Sequence, residues 1–134
     1  MYLNLLEEKS KKIFLKLVCQ LAAADGNYSS EEKMMIAEYC REMQIDFVQE
    51  EMKESIHDII ANINSSCDVK EKRIIIFEAI GLAMIDNCYD IREKKIVDKM
   101  TDVFELKKEF CDKCETLVNE YISLQKKIGE LVIS

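Results

Sequence analysis

Apolar residues recur along this chain at spacings of three and four, the period of α-helices that turn one face to a core. Over residues 3–24, Leu3, Leu6, Ile13, Leu17 and Leu21 form one stripe, with Lys11, Lys12 and Lys16 away from it, so one helix is expected there with a solvated, Glu- and Lys-rich start. Met35, Ile36, Tyr39, Cys40 and Met43 give a second helix a wide apolar face that stops near Gln44. Asp46 followed by Gln49 has the spacing of a capping box and predicts a third helix with Val48, Met52, Ile56, Ile59, Ile60 and Ile63 on one stripe. Residues 62–67 read as a linker. Asp68 with Glu71 then caps a fourth helix that is apolar nearly all round from Ile74 to Leu82, as a central buried helix should be, and Gly81 within it is expected to let a neighbour approach closely. A fifth helix over 91–103 buries Ile96, Val97, Met100, Val103 and Phe104. The last carries Phe110, Cys114, Leu117, Tyr121, Leu124, Ile128 and Leu131 at alternating steps of four and three. That is a heptad, which suits a zipper between two chains. Val118 and Val132 widen the stripe, so docking onto the chain's own core is the preferred reading.

Two stretches 61 residues apart repeat each other. Leu21, Ala22, Asp25, Tyr28, Glu32 and Lys33 recur as Leu82, Ala83, Asp86, Tyr89, Glu93 and Lys94, each set flanked by apolar runs, the mark of a duplicated helix-turn-helix unit. The expected fold is a single all-α domain over 1–134, a bundle of about six helices in two halves, near 1–64 and 65–134. Gly26, and Asn87 in its place, suit the left-handed conformation that ends a helix. Ser29 with Glu32, and Asp90 with Glu93, have the spacing of capping boxes. Asp25 and Asp86 have no such reason to exist, because a carboxylate at the carbonyl end of a helix meets the negative pole of its dipole.

The run from Leu21 to Glu32 resembles the Ala-Asp-Gly signature, with Glu after five further residues, of the tellurite-resistance TerB-like domains. The match rests on Asp25, Gly26 and Glu32 and extends over residues 14–106; the second copy departs from it with Asn87 for glycine and Met84-Ile85 for small residues. The resemblance implies an all-helical domain, of a kind also found at the N-terminus of a membrane-bound DnaJ-type co-chaperone. It also implies clustered acids that bind divalent cations, and a scaffolding role in stress responses instead of a defined reaction.

Composition narrows the classes. The formal net charge is −7 over 134 residues, which argues against nucleic acid and anionic membrane surfaces and favours cations or basic protein segments. No apolar run approaches the roughly 20 residues of a membrane span, so an integral membrane protein is not expected. The acidic start lacks the basic and apolar regions of a signal peptide, so a cytoplasmic protein with reduced thiols is expected despite its six cysteines.

For chemistry, Asp25, Asn27, Glu32, Asp86, Asp90 and Glu93 form the candidate metal set, and oxygen ligands of this kind suit Ca²⁺ or Mg²⁺. The competing reading makes them caps and turn residues on a solvated acidic face. An EF-hand is excluded, since Ser30 replaces its glycine and Ile36 its bidentate Glu. Cys111 and Cys114 form a lone CxxC, and His57 is the only histidine, so neither zinc nor a Cys-His pair is expected. Glu78, among apolar neighbours, needs a partner; Lys, Tyr28 or Tyr89 are the expected ones, and beside Tyr89 it is the best catalytic candidate. The expected function is non-enzymatic: an acidic surface, cation-responsive or metal-independent, that engages protein partners, the chain itself being a monomer or homodimer. No cofactor is required by this reading.

Overall fold

A computed structural model of the protein describes residues 1–24, 29–46, 54–85 and 89–134. Within them lie a 3₁₀ turn at Leu3–Leu5 and six α-helices: α1 (Glu8–Ala23), α2 (Ser30–Met43), α3 (Ile56–Ser66), α4 (Val69–Met84), α5 (Ile91–Val103) and α6 (Lys108–Ile133). The described residues contain no strand, and the all-α bundle stands as expected. α4 is its axis. Ile75, Ile76, Ala79, Ile80 and Leu82 are fully buried, and α4 packs against the 3₁₀ turn, α1, α2, α5 and α6. An all-round apolar helix has no face to offer water and so takes the centre.

Helix boundaries correspond between the two halves. Glu8 and Val69 begin α1 and α4, and Ala23 and Met84 end them, each pair 61 residues apart. α2 and α5 end alike. Gln44 (φ 58°) and Glu105 (φ 56°) are left-handed, and the following Ile45 and Leu106 N–H groups donate back to the Cys40 and Thr101 carbonyls at 3.0 and 3.1 Å. These bonds satisfy carbonyls that the end of a helix would otherwise leave unpaired.

The sequence expectations need correction in five places. The first helix does not run unbroken over 3–24: Leu6 and Glu7 are extended, and α1 starts at Glu8. Burial of Leu3 and Leu6, with the Glu7 N–H donating to Glu71 Oε2 at 3.0 Å, straps the start of the chain onto the core. The third helix is not one run from Asp46 to Ile63, because Ser55 is extended and α3 begins after it. α3 starts at Ile56, where Ser55 Oγ accepts from the Asp58 N–H at 3.1 Å; Gln49, Val48 and Met52 lie outside the described residues. The linker 62–67 is helical through Ser66, leaving Cys67 and Asp68 as the junction. Asp68 Oδ1 does cap α4, accepting from the Glu71 N–H at 2.8 Å. Gly81 is not a point of close approach: a Cβ there would meet Met35 Cε at 3.6 Å and the Tyr39 hydroxyl at 3.9 Å, ordinary contacts.

The fifth correction concerns α6. Only Cys111, Cys114 and Val118 of this helix are buried, all in its first three turns, where it packs on α4. Leu117, Tyr121, Leu124, Ile128 and Leu131 are 45–83% exposed, so the heptad stripe does not close the core of its own chain. The helix outruns the body that holds it.

Candidate functional site

Three of the six candidate metal ligands, Asp25, Asn27 and Asp86, lie outside the described residues. The other three hold helix ends. Ser29 Oγ accepts from the Glu32 N–H at 3.1 Å while Glu32 Oε1 accepts from the Ser29 N–H at 3.0 Å, a reciprocal capping box. Asp90 and Glu93 form its counterpart on α5, with Glu93 Oε1 accepting from the Asp90 N–H at 3.2 Å. Asp90 Oδ1 also accepts from the backbone N–H and Nε of Arg92, at 2.7 and 3.1 Å. Those bonds, the side-chain one first, hold its carboxyl below the usual range. Glu32 and Glu93 are each 2% exposed, so their carboxylates face the fold and serve the caps. Among the described residues no three His, Cys, Asp or Glu side chains are gathered as metal ligands.

Glu78 is buried, and among the described residues its partners are neither Lys nor Tyr89, Tyr28 lying outside them. The Met1 ammonium donates to Glu78 Oε1 at 2.9 Å, with the Tyr2 N–H at 3.4 Å, and Glu42 takes the ammonium from its other side. Burial alone would lower the pKa of that amine, but hydrogen bonds and charge from Glu78, then Glu42, carry it above its ordinary value. Tyr39 adds a hydrogen bond from its hydroxyl to the Glu78 carbonyl at 2.9 Å. Tyr89 belongs to different surroundings. Its ring lies under Lys94 Nζ, 5.3 Å from the centroid, and burial, then the charges of Glu115 and Asp98, push its hydroxyl pKa up. Glu78 is thus paired with the Met1 ammonium, and no contact joins it to Tyr89 among the described residues.

The described cysteines are similarly quiet, Cys88 lying outside the described residues. Cys19, Cys40, Cys67, Cys111 and Cys114 are free thiols, and burial raises all five, Cys19 to about 12 and Cys114 to about 11. Cys111 and Thr101 Oγ1 share a hydrogen bond at 2.9 Å. A thiol held protonated is a poor nucleophile and a poor metal ligand. His57 is exposed, with Nδ1 2.9 Å from Lys99 Nζ.

The stripe that was expected to dock on the chain's own core instead forms part of an apolar surface where α6 leaves the body. A groove of about 550 Å³ opens there, lined by Met1, Tyr2, Phe77, Phe110, Leu117 and Tyr121 among others. Tyr2 meets Phe77 edge-on at 6.3 Å, and Arg73 lies over Phe110 at 6.0 Å, so the walls are braced by aromatic contacts. The groove continues into the exposed stripe of α6. The heptad was the signal for it, and the extra valines obscured that signal: Val118 is buried against the chain's own core, while Val132 is 72% exposed. A second, polar pocket between α5 and α6 mixes Asp98, Asp102, Asp112 and Glu115 with Lys94 and Lys108; Lys94 Nζ pairs with Glu115 at 3.1 Å. No protein-family model, curated protein or solved structure matches the chain.

Proposed function

We propose that this chain is a non-enzymatic scaffolding domain that works by binding protein, and that the outer part of α6 is its binding element. The observation that carries the reading is the exposed stripe from Leu117 to Leu131, continuous with an apolar groove. Contiguous apolar surface of this extent is rare on a protein that works alone and marks interaction sites. The TerB-like resemblance and the acidic charge support placing such a scaffold in cytoplasmic stress responses. A photo-crosslinker at Gln125, beside the stripe, tests the reading in the cells that make the protein. Protein adducts that disappear with Leu124→Glu are expected; their absence, or indifference to that substitution, refutes it.

A second reading makes the acidic turns cation-responsive. It is favoured by the two matching capping boxes, each of which sets a buried Glu seven residues after an Asp, Asp25 or Asp86. A Ca²⁺ or Mg²⁺ ion held there would draw oxygen ligands from the loop and complete its shell with water, so affinity would be modest. Calorimetric titration of the wild type, and of Asp25→Asn with Asp86→Asn, checks this. Heat lost in the double variant is expected, and no heat at millimolar cation dismisses the ion.

A further inference from the structure

We infer that the partner of α6 is the α6 of a second copy of this chain, lying antiparallel to it. The inference rests on the reading of α6 as the binding element and names what binds there.

Three observations select this occupant. The first is length. Val118 is the last buried residue of α6, and the helix continues to Ile133, about 22 Å further at 1.5 Å per residue. Helices of this length are marginal in water when nothing covers them, so a regular apolar stripe along this one calls for another surface. The second is area. Leu117, Tyr121, Leu124, Ile128, Leu131 and Val132 are 45–83% exposed, on the order of 700 Å² per copy and close to the ~800 Å² per partner of a standard interface.

The third is charge, which also sets the direction. Glu120 and Lys127 flank the stripe on the same side, one heptad apart, both exposed and neither in an ion pair among the described residues. In a parallel pair Glu120 would face Gln125 of the second copy and Lys127 would face Val132, with no charge matched. Antiparallel packing brings each Glu120 beside Lys127 of the second copy, and the twofold axis makes that contact twice. The same register sets Tyr121 opposite Leu124 of the second copy, Leu117 opposite its Ile128 and Cys114 opposite its Leu131. Cys114 lines the apolar groove, so the outer turn of the second copy's helix reaches the groove that this chain leaves open.

Sedimentation equilibrium on the full chain over ~1–100 µM tests the pairing. The wild type should be a dimer. Leu124→Glu should be a monomer whose body still melts cooperatively, with any loss of helix confined to the uncovered end of α6, because Leu124 is not part of its own chain's core; Leu131→Glu, further out, should repeat that result. Glu120→Lys should weaken the dimer by about tenfold or more, and combination with Lys127→Glu should restore it. A monomeric wild type, or a dimer indifferent to Leu124→Glu and Leu131→Glu, overturns the inference. A dimer sensitive to those changes but indifferent to Glu120→Lys overturns its antiparallel direction. A monomeric chain whose Gln125 still crosslinks to a different protein defeats the self-pairing alone and leaves the scaffold reading in place.

Discussion

Tyr39 joins three elements. Its ring packs edge-on against Phe14 of α1 at 5.4 Å, and its hydroxyl reaches across to the Glu78 carbonyl of α4. Burial, reinforced by the charges of Glu78 and Glu42, raises its pKa well above 10.0. The folded form therefore holds this proton while the unfolded chain releases it. The contribution of Tyr39 is complete below the unfolded value and is lost as pH rises beyond it, by up to about 1.4 kcal/mol per pH unit. The buried thiols start an alkaline loss lower, from near 9.0. Tyr39→Phe should then cost about 1 kcal/mol at neutral pH for the lost hydrogen bond, and should flatten the decline only above about pH 10. Urea unfolding from pH 7 to 11 measures both. Gly81, in the last turn of α4, has room for a methyl group at ordinary contact distance, so Gly81→Ala should stabilise the fold by about 0.5–1 kcal/mol. An unchanged or lowered denaturation midpoint would show that α4 is packed more tightly there than 3.6 Å allows.

At the scale of elements, what was legible in the sequence is what is local. A capping box is written in residues three apart, and those at Ser29–Glu32 and Asp90–Glu93 form as their spacing predicts. The third helix shows the limit of that grammar, because Asp46–Gln49 and Ser55–Asp58 both carry cap spacing, and it is Ser55 that caps the helix starting at Ile56. The exposure of α6 was hidden for a different reason: an apolar stripe has the same period whether it meets its own core or another chain. The site was legible only in part. Glu78 stood out as a buried acid, but its partner, the Met1 ammonium, lies 77 positions away and leaves no mark in the spacing. The left-handed ends of α2 and α5 yield an element-scale prediction. Gln44 and Glu105 occupy a conformation that costs side-chain-bearing residues about 1 kcal/mol and glycine almost nothing. Gln44→Gly and Glu105→Gly should each raise stability by about 0.5–1 kcal/mol in thermal melts and nearly add when combined, since they cap different helices.

Over the whole molecule, the two halves share devices but not independence. α1 of the first half packs against α4 and α5 of the second as well as α2 and α3 of its own, and α4 in turn covers the 3₁₀ turn and α2. Phe14, Leu17, Val18 and Leu21 of α1 are fully buried, and a chain cut at the Cys67–Asp68 junction would return much of that face to water. A piece of this size is marginal even with an intact core. Residues 1–67 alone should therefore give a weak helical circular dichroism signal and no cooperative thermal transition, and residues 68–134 should behave alike. Mixed at equal concentration, the two pieces should recover helix and a cooperative melt, because the surfaces each lacks are those the other presents. A fragment 1–67 that melts cooperatively by itself would instead make each half a unit with its own core, and the contacts of α1 with α4 an interface between two folded bodies.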